Sequence, residues 1–304
     1  MEKIIVTAGP EGADIDVFAC VIAYAELLRL EGKKSTPVIL GNFTVSVTPS
    51  ILEWGAKYKE EYIPDGSEGF VLTDVSDPVY FPNFVDIGKI TEVYDHRHGH
   101  EAYWREKIGK GAHIEMVGSC GTLIWEEYKK RGKERKISVL SARLLFASIV
   151  SNTLNFKSSK TMERDINAYR ELKEIANLPD DWIPKYFTEQ EKTLLSDLKK
   201  YIEADTKKID AKGGKFVIGQ IELWDADKFV ETKKDEMGMV MRKYGELPWI
   251  VNIPNISKGF NYIYSESEEG KGVIEEKLGV VFTGDIAKTD KLIQRKQIIK
   301  ILRG

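Results

Sequence analysis

Cysteine is scarce in this chain. Cys20 and Cys120 are the only two thiols in 304 residues. Two thiols cannot staple a secreted scaffold of this size, so a reducing cytoplasm is the expected location. They also rule out a cysteine-based zinc site. Long hydrophobic runs are missing as well. None reaches the roughly 18–20 residues of a membrane span, and no membrane partner is expected. The opening MEKIIVTAGP lacks the apolar core of a signal peptide and reads as a strand. Charge of either sign is nearly balanced: 45 Lys plus Arg against 48 Asp plus Glu leaves −3. A diffuse cationic surface is thereby disfavoured, and with it nucleic acid as a partner. No internal repeat or low-complexity segment is present.

The remaining composition is that of an ordinary globular chain, 42% apolar. At roughly 150 residues per domain, the length suggests two domains, each able to bury a core. KIIVT at 3–7 reads as a buried strand, GPEGAD as a turn and DVFACVIAYAELLRL as a helix. This is the opening of an α/β unit. Further strands are expected at 36–40 (TPVIL), 69–75 (GFVLTDV), 90–95 (ITEVYD) and 113–118 (HIEMVG). A helix opened by Ser119 follows, then an apolar helix over 138–154. A polar helix over 158–176 is expected to be capped by Ser159 or Thr161. LPDDWIPKYFTEQEK at 178–192 carries two prolines and an Asp pair and marks the boundary, giving domains 1–183 and 184–304. Beyond it the pattern predicts a long helix over 188–208, a strand in GGKFVIGQIEL, a helix over 225–245 and paired strands in PWIVNI and FNYIYSE.

Chemistry-bearing residues gather at the ends of the predicted strands. Asp14 and Asp16 form an alternating D-x-D just after the first strand. Asp74, with Asp77 nearby, ends the third strand, and Asp95 ends the fourth, followed by His96. All four histidines lie between His96 and His113, three of them in HRHGH. Asn152 ends the apolar helix. In open α/β sheets, ligands collect at the carboxyl ends of strands. An aspartate there is often only the N-cap of the next helix. Taken together, these groups suggest a shared carboxylate–imidazole centre suited to Mn²⁺ or Mg²⁺ rather than a soft metal.

The order of motifs resembles the DHH superfamily of phosphoesterases, nearest the branch of family II inorganic pyrophosphatases, exopolyphosphatases and prune proteins. GPEGADID (9–16), LTDVSD (72–77) and YDHRH (94–98) are similar to its first three motifs. VGSCGTLI (117–124) resembles the glycine–serine helix start that follows, and SNTLNFKSSKT (151–161) the fourth motif. GGKFVIGQIE (213–222) resembles a phosphate-contacting strand of a DHHA2-type domain, and QRKQII (294–299) its basic C-terminal motif. The resemblance implies an α/β fold, with a parallel-sheet DHH domain followed by a smaller α/β DHHA2-type domain. It places the active site in the cleft between them.

The resemblance further implies Asp14 and Asn152 on one metal, Asp16 and His96 on the other, and Asp74 bridging. The cofactor would be Mn²⁺, or Mg²⁺ or Co²⁺, as one or two ions. Arg97 and His98 would be catalytic, His98 as an acid for the leaving group. Arg97, Lys215, Arg295 and Lys296 would hold the phosphates of a small phosphorylated substrate. The implied activity is two-metal hydrolysis of a phosphoanhydride in pyrophosphate or short-chain polyphosphate. A homodimer paired through first-domain strands is compatible with the resemblance. There are departures. Pro10 stands where pyrophosphatases have a histidine, as in the exopolyphosphatase and prune group. Arg97 replaces the second histidine of the DHH motif, as in prune proteins. Asn152 replaces a bridging aspartate, and Gln294 replaces an arginine. With one carboxylate fewer, weaker metal binding is expected, with His98 or His100 as substitute ligands. The alternative is a catalytically weak or inactive phosphate- or nucleotide-binding homologue. An oligoribonuclease is disfavoured, because Lys215 follows Gly213-Gly214 where a GGGH-type motif would need a histidine.

Overall fold

The structure of the protein, a computed structural model, describes residues 3–304. Two compact units emerge. The first runs through Phe156 and includes Lys160–Trp182, and the second comprises Lys157–Ser159 and Ile183–Gly304.

Five parallel strands build the first unit: β1 (Lys3–Thr7), β2 (Lys34–Pro37), β3 (Glu68–Thr73), β4 (Ile90–Asp95) and β5 (Ala112–Ile114). Their order across the sheet is β2-β1-β3-β4-β5, and every neighbouring pair is parallel. The chain leaves β1 in one direction to reach β2 and then returns past it to β3. The carboxyl ends of β1 and β3 therefore flank the switch point, where an α/β sheet opens a crevice. β3 is buried along its whole length, as expected for a parallel strand covered on both faces.

Helix Ile15–Leu30 is buried on nearly every face. It lies against β1 and the helices Cys120–Lys130 and Val139–Asn152, so its sequence is apolar all round rather than on one stripe. Each large side chain fully buried there stabilises the fold by about 1.5–3 kcal/mol relative to exposure. Ser119 and Ser138 cap the last two of these helices, accepting from the backbone N–H of Gly121 and Ser141.

A six-stranded mixed sheet organises the second unit: β6 (Lys207–Ala211), β7 (Gly214–Gln220), β8 (Trp249–Asn255), β9 (Phe260–Tyr264), β10 (Phe282–Thr283) and β11 (Ile286–Lys288), in the order β10-β11-β9-β8-β7-β6. Alternation along the strands supplies two cores. Val217, Val251 and Ile253 face one layer with Ile202 and Met241. Phe216, Ile218, Ile250 and Ile263 face the other with Ile298 and Leu302 of the C-terminal helix.

Some local expectations are corrected. The strand at 36–40 forms earlier, at Lys34–Pro37, because beyond it Ile39 N–H turns to the carbonyl of Lys59. The strand at 113–118 is only Ala112–Ile114. The helix expected over 158–176 begins at Glu163, and neither Ser159 nor Thr161 caps it. Positive φ at Leu154, Asn155 and Phe156 makes the preceding segment a turn, and Asp165 accepts the backbone N–H of Met162 at 2.8 Å. The long helix over 188–208 is two, Trp182–Ser196 and Leu198–Ala204. Asp197 caps the second through Lys200 N–H. The helix over 225–245 is likewise split, into Asp227–Thr232 and Lys234–Met241. PWIVNI and FNYIYSE do pair, antiparallel, from Val251 with Tyr264 to Asn255 with Phe260.

Candidate metal centre

Three segments deliver ligands to one point. The loop after β1 is held tight at Gly41, where a Cβ would meet the carbonyl oxygen of Pro10 at 2.3 Å. That loop leads to Asp14, the N-cap of helix Ile15–Leu30, whose Oδ1 accepts the backbone N–H groups of Asp16 and Val17 at 3.0 and 2.9 Å. Asp74 follows β3 directly, at φ +55°, in the left-handed region that aspartate tolerates better than most residues. Its own N–H donates to the carbonyl of Tyr94 on β4 at 2.8 Å. Asp95 ends β4, and its Oδ1 accepts the N–H of His96 at 2.8 Å and of Arg97 at 3.2 Å. Ser76 Oγ donates to the other oxygen at 2.5 Å. Asp95 thus shapes the turn that presents His96 and Arg97.

One ligand atom each from Asp16, Asp74 and His96 lies within 4.8 Å of the others, and all three residues are buried. His96 Nε2 stands 3.4 Å from Asp74 Oδ1 and 3.9 Å from Asp16 Oδ2. Its Nδ1 is 3.2 Å from the carbonyl of Val117, an acceptor that fixes the proton on Nδ1 and leaves Nε2 free to ligate. Asp16 is asymmetric. Its Oδ1 accepts Ser119 Oγ at 2.9 Å, Ser148 Oγ at 2.6 Å and Gly121 N–H at 2.9 Å, whereas Oδ2 accepts Cys120 N–H at 2.9 Å. Oδ1 anchors the residue to the start of helix Cys120–Lys130 and to Ser148, late in helix Val139–Asn152, and Oδ2 faces the histidine. Hard oxygen and imidazole donors of this kind suit a divalent ion such as Mn²⁺ or Mg²⁺.

Burial pushes the Asp74 carboxyl well above its ordinary value, against the lowering influence of Arg97. Burial, followed by the charge of Asp16, also raises Asp14. A divalent cation would relieve both. Arg97 sets its fork on Asp74: Nη1 to Oδ1 at 2.8 Å and Nη2 to Oδ2 at 3.1 Å, with a third contact from Nη1 to Asp95 Oδ1 at 3.2 Å. The Asp74 charge, foremost, holds Arg97 above its ordinary range. A cavity of about 680 Å³ opens over this cluster, lined among others by Asp14, Asp74, Arg97, His98 and His100.

Asn152 donates its amide N–H to the carbonyl of Ser148 at 3.3 Å, turning back on its own helix. His98 sits exposed on the cavity rim, its Nδ1 2.6 Å from Glu101 Oε1, and His100 faces Asp77 at 3.6 Å. In the second unit, Arg295 is 11% exposed and tied to Asp205 Oδ1 at 2.6 Å, while Lys296 and Lys215 are exposed. Arg295 N–H also donates to the Gln220 side chain at 2.7 Å. Lys215 lies five residues back along β7, roughly 17 Å at the rise of a strand. The lysine beside the Arg295–Asp205 pair is instead Lys207, whose charge acts on Asp205; the run DTKK was its sequence signal. Sequence reasoning also missed Ser148. Its spacing of four from Asn152, one helical turn, was the signal available.

No family model matches the chain. A protein of Bacillus anthracis (strain CDC 684 / NRRL 3495), named as a probable manganese-dependent inorganic pyrophosphatase, is 28% identical over 241 residues. That match covers 75% of this chain and 73% of that protein. The protein of the same name from Bacillus mycoides (strain KBAB4) is 25% identical over 326 residues, covering 99% and 98%. Among solved structures, a Methanococcus jannaschii protein assigned to the family II inorganic pyrophosphatases superposes with a TM-score of 0.66 at 23% identity, over 99% of this chain and 98% of its own. An exopolyphosphatase-related protein from Bacteroides fragilis gives 0.53 at 13%, over 99% and 90%. At these identities the structural likeness is one of fold. In sequence the chain is similar to the two Bacillus proteins, and in fold to the two solved structures.

Proposed function

We propose that this protein hydrolyses phosphoanhydride bonds in a small substrate, pyrophosphate or short-chain polyphosphate, and that manganese is its cofactor. The observation that carries this reading is the convergence of Asp16, Asp74 and His96, brought together from the ends of three strands. The names of the relatives at 25–28% identity point the same way. When bound, a divalent ion there would supply Lewis acidity and activate water for attack at phosphorus.

The chain's own residues do the rest. Val117 and the two serines on Asp16 hold the ligands in position before any ion arrives, which limits reorganisation. Arg97 keeps a permanent positive charge beside the cavity. His98, paired with Glu101 at the rim, is the proposed acid for a departing phosphate. Lys215, Arg295 and Lys296 remain proposed phosphate contacts, with Lys207 added beside Arg295. Cys20 and Cys120 are both free and buried, in keeping with a reducing cytoplasm.

The test is phosphate release from pyrophosphate and tripolyphosphate with Mn²⁺, Mg²⁺ or Co²⁺ added to metal-free protein. Release is expected with Mn²⁺, and its absence with all three ions and both substrates would sink the reading. A second reading, a phosphate-binding homologue of little activity, is favoured by Asn152, whose amide engages Ser148 and brings no charge. Tight pyrophosphate binding without turnover would select it.

A further inference from the structure

We infer that Arg97 is a resident cation of this site, standing in for a second metal, so that the chain takes one divalent ion per site. The inference rests on the metal-centre reading above and specifies its stoichiometry.

Three features carry it. First, both oxygens of Asp74 already accept from the guanidinium, Oδ1 from Nη1 at 2.8 Å and Oδ2 from Nη2 at 3.1 Å, and Nη1 also reaches the Asp74 carbonyl at 2.7 Å. A carboxylate that bridges two ions gives one oxygen to each. Here Oδ1 still faces His96 Nε2 at 3.4 Å, while Oδ2 points to the arginine. One ion fits between Asp16, Asp74 and His96, and the other side of Asp74 is filled by a planar fork that matches it.

Second, the arginine is aimed there by backbone. Asp95 Oδ1 accepts the N–H of Arg97 and also its Nη1, so the turn and the head group are fixed by the same oxygen. Asp74 and Asp95 are 4% and 1% exposed, and an arginine stays ionised in such surroundings.

Third, the formal charges close on one ion. Asp14, Asp16, Asp74 and Asp95 give −4, and Arg97 reduces this to −3. One divalent ion leaves −1, whereas two would leave +1. Asn152 adds nothing to the negative side, because an amide donates here to Ser148. The arginine and the asparagine therefore act in the same direction.

The experiment titrates metal-free full-length protein with Mn²⁺, reading stoichiometry by calorimetry and the ion's surroundings by electron paramagnetic resonance. Wild type is expected to bind one ion per chain, with the spectrum of an isolated manganese. Arg97→His removes the guanidinium and supplies an imidazole, and is expected to bind two ions with an exchange-coupled spectrum. A merely structural arginine would not raise the count when removed. Two ions bound with comparable affinity by wild type would overturn the inference and leave the hydrolase reading standing. One ion in Arg97→His would overturn the role given to Arg97. Should that variant not fold, as judged by circular dichroism, Arg97→Ala decides the matter: a second, weaker site is expected, and its absence counts against the inference. No binding by wild type, together with no phosphate release, overturns the hydrolase reading and this inference with it.

Discussion

Two charge clusters occupy the first unit, and they are built on opposite terms. At the end of helix Cys120–Lys130, Arg131 meets Glu127 at 2.7 Å, Glu92 at 2.8 Å and Glu31 at 3.0 Å. Lys130 adds a contact to Glu127 and Lys33 one to Glu31. Three cations face three carboxylates, and Tyr94 donates its hydroxyl to Glu92 at 2.9 Å. Asp14, Asp16, Asp74 and Asp95, by contrast, have one full cation, Arg97, and the imidazole of His96. Burying uncompensated charge is costly. A fold that balances one cluster and leaves the other three charges short marks the second as a place for an absent cation. Proximity of carboxylates alone would not separate the two, but the charge balance does.

The largest expected effect is on catalysis. Asp74→Asn should lower manganese-dependent phosphate release by more than about 100-fold, exceeding the loss typical of an outer-shell partner. Without metal, its chemical denaturation midpoint at neutral pH should lie no lower than that of wild type, since a strained carboxylate has been removed. A midpoint well below wild type would mean that Asp74 is a structural ion-pair member like Glu127.

The balanced cluster should behave in the opposite way. Arg131→Ala leaves three carboxylates without their shared partner and should cost about 3–5 kcal/mol, read from urea unfolding. Phosphate release per folded molecule should be unchanged. A loss of turnover without a loss of stability would undo the contrast.

The next effect is a dependence on pH with two signs. The Asp74 value is raised by burial, so its proton stabilises the fold. That contribution is complete below the unfolded value of about 3.9 and is lost as pH rises through the folded one. The advantage of Asp74→Asn in metal-free unfolding should therefore be greatest at neutral pH and shrink as pH falls. For Glu127, burial raises the value, but the hydrogen bonds from Arg131 and Lys130 prevail and hold it below the ordinary range. Its contribution is present above the unfolded value of about 4.3 and is lost on acidification. The deficit of Glu127→Gln should accordingly shrink below about pH 4. Parallel pH profiles for the two variants would refute the distinction.

The smallest effect concerns Asn152. Asn152→Asp adds a negative charge where the deficit already lies and should tighten Mn²⁺ binding about tenfold by calorimetry. Unchanged or weaker affinity would count against placing residue 152 at the metal.

Much of this site could be read along the chain because each ligand announces itself locally. A strand of β-branched residues that stops at an aspartate, as at Asp74 and Asp95, names a residue at a sheet's carboxyl edge. The alternation of Asp14 and Asp16 names a turn into a helix. The anchoring of those ligands could not be read. Ser119 and Ser148 reach Asp16 from 103 and 132 residues away, and a serine in an apolar helix carries no mark of such a partner. The breaks at Asp197 and Lys233 were hidden as well, since the charged pattern continues through both.

Local chemistry thus settled β1, β3 and β4 and the acidic residues at or just beyond their ends, though not the bounds of β2 and β5, because those features depend on neighbours a few positions apart. Tertiary structure alone decided which oxygen of Asp16 faces His96, which way Asn152 turns, and that Arg97 closes on Asp74. These depend on groups from distant segments competing for the same lone pairs, and that competition takes place only once the strands lie side by side.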